Sequence, residues 1–338
     1  MKDKIMAFGP ASVANIGPFY DVMGYCLDYL GDVVTVEKTN DHKSVELIES
    51  DGPYNIDLLN ENVPANLNCA YDQELDFGIN LSLYKGMPTQ SGLGSSAASC
   101  VAAAKAVYTL LDLESNVSTT EIANKMMKGE GAIANHYYPD NIVPSYWGGM
   151  YIISRSWIQP VDICDFYTVV VLNNKASTLL QRESVDNFFE KLIESDEDVS
   201  KKVEQILHFM RFQGSCSARM IYNLVQGDLE NAGICISESD YNFLELSRKD
   251  TIHKYESIKN AALRAGAYSC SISGSGPSIF ALTNNLEKAK RIRDSMLNVA
   301  DKTNAKWLIS PINKKGAKII EDQDEWFNGN RQFHNFWE

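Results

Sequence analysis

The stretch Pro88-Thr89-Gln90-Ser91-Gly92-Leu93-Gly94-Ser95-Ser96-Ala97-Ala98 restricts what this chain can fold into more than any other. Before it, Ile79, Leu81 and Leu83 alternate with polar residues, the period of a half-buried strand. After it, Ser95 to Leu111 is rich in alanine and free of proline and glycine, which predicts a helix. The order is therefore strand, Gly-Ser loop, helix N-terminus. Two glycines let the backbone turn and approach a ligand closely. Successive N–H groups at a helix start, with the helix dipole, make a site for an anion such as phosphate. No charged residue lies between Lys85 and Lys105, so the charge of a bound phosphate must be met by amides, hydroxyls and groups brought from elsewhere.

Three readings of the loop compete. A Walker A loop requires a lysine after its last glycine, and none is present. Gly92-x-Gly94-x-x-Ala97 fits the looser dinucleotide fingerprint, but that motif needs a second strand ending in an acidic residue about 20 positions on. Here Asp112-Leu113-Glu114-Ser115-Asn116 leads into another helical pattern instead. The third reading is a tight turn without a ligand, which three hydroxyls and two glycines at one helix start disfavour.

Composition sets the outer limits. A length of 338 residues favours two domains or one large one, and 44% hydrophobic with 22% charged residues is ordinary for a globular protein. No apolar run reaches the length of a membrane span, and the N-terminus lacks the apolar core and cleavage site of a secretory leader, so a cytoplasmic, membrane-free protein is expected. Seven scattered cysteines without a Cys-x-x-Cys pair, and five histidines without ligand spacing, predict reduced thiols and no metal framework. A net charge of −13 argues against nucleic acid as a partner.

Along the chain, Ile5–Phe8 is a short apolar run, and Pro10 to Gly24 reads as a loop from its glycine and proline content. Leu30–Lys38 and Ser44–Ile48 read as a hairpin around Asn40-Asp41. Residues 50–64 are loop-like, and Asn66–Tyr71 begins a helix. Thr119–Ala134 has helical spacing, with Thr119 or Thr120 as N-cap, and carries Gly129-Glu130-Gly131. Tyr138–Pro144 reads as a loop and Gly148–Ile153 opens a strand. The composition shift at Arg155–Asp165 marks an expected domain boundary. Beyond it come a strand (Tyr167–Leu172), helices over Ser184–Phe212, Ser217–Leu229 and Tyr255–Gly266, and a Gly-Ser loop leading to a strand within Cys270–Leu282. A helix (Leu286–Ala300) and a strand (Ala305–Pro311) follow. The segment after Ile320 is acidic, then aromatic.

Three small-residue loops thus recur, at Pro10–Gly24, Pro88–Ala98 and Ser273–Ser278. In that order and spacing the chain resembles the GHMP kinases (galactokinase, homoserine kinase, mevalonate kinase and phosphomevalonate kinase), and within them it is most similar to the homoserine kinases. The resemblance runs to about Ala317. Its most specific part is Pro88-x-x-x-Gly92-Leu93-Gly94-Ser95-Ser96-Ala97-Ala98; the others are Pro10-Ala11-Ser12-x-Ala14-Asn15, Asp140-Asn141-x-x-Pro144 and Ser273-Gly274-Ser275-Gly276-Pro277-Ser278. Phe19-Tyr20-Asp21 stands where the family has Gly-Phe-Asp, and Tyr138 where it has His.

The resemblance implies an α+β, two-domain fold: an N-terminal phosphate-loop domain over 1–165, a ferredoxin-like C-terminal domain over 166–320, and an acidic, aromatic tail over 321–338. It implies ATP and Mg²⁺ as cofactors, L-homoserine as the small-molecule substrate and a homodimer. Pro88, Ser91, Gly92, Leu93, Gly94, Ser95, Ser96 and Ala97, with Asn62 and with Gly274, Ser275 and Gly276, would surround ATP. Ser95, Ser96 and Glu130 would hold the metal. Asn15, Asp21, Thr178, Arg182 and Arg248 would bind the amino acid. Asn141 stands where mevalonate kinase and galactokinase relatives carry a catalytic Asp, so catalysis here would rest on positioning and electrostatics. A GHMP kinase for another small alcohol, or an inactive nucleotide-binding relative, is the alternative.

Overall fold

The structure is a computed structural model and describes residues 3–41, 44–54, 56, 76–113, 118–134, 139–154, 157–173, 198–238, 242–301 and 304–337. Its first half is built on strands β1 (Lys4–Ala14), β2 (Met23–Thr39), β3 (Val45–Asp51) and β4 (Gly78–Tyr84), then helices α1 (Ser95–Leu110), α2 (Thr119–Ala134) and α3 (Pro139–Trp147) and strands β5 (Met150–Ile153) and β6 (Ile158–Val161). The second half has β7 (Tyr167–Leu172), α4 (Val199–Val225), α5 (Leu229–Ser237), α6 (Phe243–Arg248), α7 (Tyr255–Arg264), β8 (Ser269–Ile272), β9 (Ser278–Thr283), α8 (Leu286–Val299) and β10 (Lys306–Pro311). Then β11 (Lys318–Ile319) and α9 (Gln323–Asn330) return to the first half. No described helix is long and apolar enough to cross a membrane.

Two sheets organise the α+β fold. The first runs β11-β1-β2-β4-β3, with β5 pairing β2 and β6 pairing β5. The second, β10-β7-β9-β8, is antiparallel throughout, and with its intervening helices it is the split βαβ arrangement of ferredoxin-like folds. Branched aliphatic side chains facing one way from the first sheet (Val34, Val36, Ile79, Leu81, Leu83) bury themselves under the alanines of α1. That helix lies so close that a Cβ on Gly9 would sit 2.1 Å from the Ala98 carbonyl oxygen. Alanine is thus the side chain that fits the helix–sheet distance, as well as the best helix former. A further core joins the two sheets: Val13, Ile16, Tyr25, Leu27 and Leu93 of the first half meet Val170, Leu224, Phe280 and Leu308 of the second.

Several expectations are corrected. The stretch Pro10–Ala14 is strand, not loop; Pro10 is tolerated because the β1–β2 register shifts between Pro10 and Ser12, where a missing N–H costs no ladder bond. Residues 30–48 do not form a hairpin. The apolar β4 inserts between β2 and the polar β3, and β3 pairs it in parallel. The cap of α2 is Ser118, whose hydroxyl accepts from the Glu121 amide at 3.2 Å. Residues 139–147 form a helix: Pro139 suits a first helical position, and Pro144 is accommodated within it. Helix α4 runs unbroken through Gly214, where separate helices ending at Phe212 and starting at Ser217 were expected. Strand β8 and helices α5 and α6 were not anticipated.

Candidate active site

The three small-residue loops meet at the junction of the two sheets. Between β4 and α1 the backbone turns through left-handed conformations at Gln90 (φ 57°), Gly92 (φ 76°) and Gly94 (φ 68°). Gly92 is required by its neighbours: a Cβ there would lie 2.4 Å from the Ser273 carbonyl oxygen and 2.7 Å from that of Gly276. The Ser273 hydroxyl donates to the Gly92 carbonyl (2.8 Å), and the Ser278 amide donates to the Ser91 carbonyl (3.2 Å). The third motif therefore locks the second from the opposite sheet.

The first motif reaches the same point from β1. The register shift turns the Ser12 amide toward the Leu93 carbonyl (3.1 Å), and the Ala14 carbonyl accepts from the Gly274 amide (3.0 Å). Helix α3 brings Asn141, whose Oδ1 accepts from the Ser12 hydroxyl at 2.9 Å, leaving its Nδ2 as the donor. Both groups abut Gly94: a Cβ on it would come within 2.4 Å of Ser12 Oγ and 2.8 Å of Asn141 Oδ1.

Helix α1 begins here without a side-chain cap and without an acidic residue in its first turn. Its leading N–H groups have no intrahelical acceptor, which makes an anion-binding end. The buried hydroxyls of Ser91 and Ser95 have no hydrogen-bond partner in the structure, so two further polar atoms accompany those amides. A buried cluster stiffens the helix start from behind. Lys85 Nζ donates to the Ser95 carbonyl (2.9 Å), to Ser99 Oγ (3.0 Å) and to Asp32 Oδ2. Asp32 also accepts from Ser99 Oγ (2.6 Å) and from the amides of Gly86 (3.0 Å) and Met87 (3.3 Å). Burial pushes the Asp32 carboxyl up in pKa against the pull of Lys85 and these donors.

The loop after β1 holds Asn15 (φ 60°) and Asp21 (φ 53°), and Asn15 Oδ1 accepts from the Asp21 amide at 2.6 Å. The second half of the chain fastens this loop. Gln213 donates to the Pro18 carbonyl (2.7 Å), Gly17 lies against Ile236, and Tyr20 packs on the cluster containing Ile252 and Tyr255. Arg248, 5% exposed, ends the short helix just before that cluster. Helix α6 is pinned by Asn242, which donates to Ser271 Oγ (3.1 Å), and by the Lys259–Glu245 ion pair at 2.5 Å. Asp140, beside Asn141, is fully buried; burial and the nearby Asp21 charge push its pKa up to about 8.

The structure thus brings together Asn15, Asp21, residues 88–97, Asn141 and residues 274–276. Asn62, Thr178 and Arg182, and the expected helix at 66–71, lie outside the described residues, as does Tyr138. Glu130 lies on α2, with its side chain outside the description. Sequence reasoning missed Ser12, Asp32, Lys85, Ser99 and Asp140. Asp140 and Ser12 had a local signal, the first as the immediate neighbour of Asn141 and the second as a member of the motif at Pro10–Asn15.

Comparison with known proteins gives a consistent result. Residues 62–149 match the family described as the GHMP kinases N terminal domain, and residues 220–302 match the GHMP kinases C terminal domain. The homoserine kinase of Pyrococcus horikoshii is 32% identical over 295 residues, covering 85% of this chain and 90% of that protein. The crystal structure of homoserine kinase from Cytophaga hutchinsonii superposes with a TM-score of 0.80 at 28% identity, covering 95% of this chain and 98% of that one. The crystal structure of L. major mevalonate kinase in complex with R-mevalonate shares the fold with a TM-score of 0.70 at 16% identity, over 92% of this chain and 96% of its own.

Proposed function

This chain belongs to the GHMP kinase family, and from that premise we propose that it is a homoserine kinase, transferring the γ-phosphoryl group of ATP to the side-chain hydroxyl of L-homoserine to give O-phospho-L-homoserine, a step of threonine biosynthesis. The observation that carries the reading is the contact of Asn141 and Ser12 with Gly94. It sets an amide donor against the uncapped helix start, so a hydroxyl oriented by Asn141 faces phosphates held at α1.

In this reading the amides from Gly92 to Ser96, with the Ser91 and Ser95 hydroxyls, hold the phosphates of ATP. Pro88, Leu93 and Ala97 shape the turn, Gly274 to Gly276 brace it, and Asn62 faces the adenine. Arg248 and Arg182 would hold the substrate α-carboxylate in the forked geometry lysine cannot supply, and Thr178 is assigned to the same substrate. Asp21 takes the substrate ammonium, and Asn15 and Asn141 orient the hydroxyl. Its oxygen bonds to the γ-phosphorus as the bond to the leaving oxygen of ADP breaks, and the hydroxyl proton leaves with the product phosphate or to solvent. An amide at position 141 suffices because the transition state is loose and needs little base assistance.

Mg²⁺ fits the donors present: hard oxygen ligands are what it takes, and Ser95 Oγ is a buried oxygen without a protein partner at the helix start. Ser95, Ser96 and Glu130 would hold it, and when bound it would neutralise charge on the phosphates. The residues proposed here form a site between the two halves. We place the division after Asp165, with a dimer as the assembly and the cytoplasm as the compartment.

Purified protein given ATP and, separately, homoserine, mevalonate and galactose tests the assignment. ADP release with homoserine alone is the expected result. Turnover only with another alcohol would make it a different GHMP kinase, and ATP binding without turnover would make it a regulatory relative.

A further inference from the structure

The aromatic segment after α9 is not absorbed by the reaction, yet hydrogen bonds and ring contacts fasten it to both halves of the chain. Asn335 pairs with Trp307 of β10 in both directions: its amide donates to the Trp307 carbonyl (3.1 Å), and its Oδ1 accepts from the Trp307 amide (2.6 Å). Lys306 Nζ donates to the Asn335 carbonyl (3.1 Å), and His334 bridges to Leu308. One residue on, Phe336 is buried in the core that joins the two sheets, and its carbonyl accepts from the Tyr54 hydroxyl at 2.6 Å.

Trp337 then crosses to the first half of the chain. Its ring meets Phe327 edge-on at 4.4 Å and His334 at 4.0 Å, and its indole Nε1 donates to the Gly86 carbonyl at 2.8 Å. Gly86 lies two residues before Pro88, and its amide, like that of Met87, donates to Asp32 Oδ1. The segment leading into the phosphate loop is therefore gripped from both sides. Asp32 takes its N–H groups, Trp337 takes its carbonyl, and Lys85 continues from Asp32 to the Ser95 carbonyl of the helix start.

We infer that Trp337 is a positioning residue for the phosphate loop, the end of a strap over 334–337 that ties β10 of the second sheet to the backbone leading into the nucleotide site. The inference rests on the proposal that this loop holds ATP. A strap anchored on the second sheet sets where residues 86–88 lie relative to the third motif, which contacts Gly92 from that same sheet. Loss of the indole donor leaves the Gly86 carbonyl unfastened and frees the loop to sample conformations that do not bind phosphate.

The test is Trp337→Phe, which keeps an aromatic ring against Phe327 and removes the donor. Three readouts are taken: ATP affinity by calorimetry, the KM values for ATP and homoserine, and amide exchange at Gly86 and Met87. The expected result is ATP affinity weakened about three- to five-fold, the factor one neutral hydrogen bond supplies. The KM for homoserine should stay within about two-fold and exchange should be faster at Gly86. Unchanged ATP affinity and exchange would overturn the inference. So would a lower melting temperature with both KM values unchanged, since that is packing alone. Faster exchange in the variant, with wild-type protein that fails to bind ATP, would keep the clamp and sink the reading of the loop as a nucleotide site. If Trp337→Ala fails to fold, Trp337→Phe still decides.

Discussion

Asp140 is a carboxyl with no exposed surface, next to the amide proposed to orient the substrate hydroxyl. Its pKa rises from 3.8 to about 8 through burial and the neighbouring Asp21 charge. An acid with a higher pKa in the folded state holds its proton more tightly there. Its contribution to stability is therefore complete below 3.8 and is lost as the pH rises through about 8. Melting temperatures measured across that range should fall with pH in the wild type and fall less steeply in Asp140→Asn; parallel profiles would mean the carboxyl does not titrate there. Arg248 tests the substrate side. If Arg248 forks onto the substrate carboxylate as proposed, Arg248→Ala should raise the KM for homoserine on the order of ten- to a hundred-fold while that for ATP stays nearly level. Equal changes in both would refute its assignment to the carboxylate.

The strand–loop–helix unit from β4 to α1 shows how far an element can be read locally and where that stops. Its turn was legible because glycine, serine and the absence of charge act on the backbone directly. The buried Lys85–Asp32–Ser99 cluster beneath it was not, because Asp32 lies 53 positions from Lys85 and joins it only when β2 and β4 pair. Two substitutions separate these contributions. Gly92→Ala meets the Ser273 and Gly276 carbonyls and a left-handed φ, so ATP binding should be lost even where the protein stays folded. Retained ATP affinity in that variant would show that the third motif yields. Lys85→Met leaves Asp32 buried without its cation and should destabilise by about 3–5 kcal/mol in denaturant melts, whereas replacing both partners with apolar residues should recover most of the loss.

Across the whole molecule the two sheets share one core. Tyr25, from β2, meets Phe166 at 5.2 Å and Phe280 at 6.4 Å, and its hydroxyl shares a 3.0 Å hydrogen bond with Thr168 of β7. A core that crosses the proposed division couples the halves. Calorimetry should therefore show a single unfolding transition, with Tyr25→Phe lowering stability by about 0.5–1.5 kcal/mol without splitting it. Two resolved transitions would show that the halves unfold separately.

Local chemistry alone determined the phosphate loop, the alanine helix behind it and most strands, since each depends on residues near in sequence whose backbone preferences agree. It also carried the order of the three motifs, from which the family could be named. Tertiary structure decided the rest. It placed β4 inside the sheet in place of a hairpin, made strand and helix of stretches that proline and glycine had marked as loop, and buried Asp140. It also drew Trp337 across to Gly86, 251 positions away. Those outcomes depend on which surfaces meet once the sheets pack, and burial and pairing between distant residues override local propensity there.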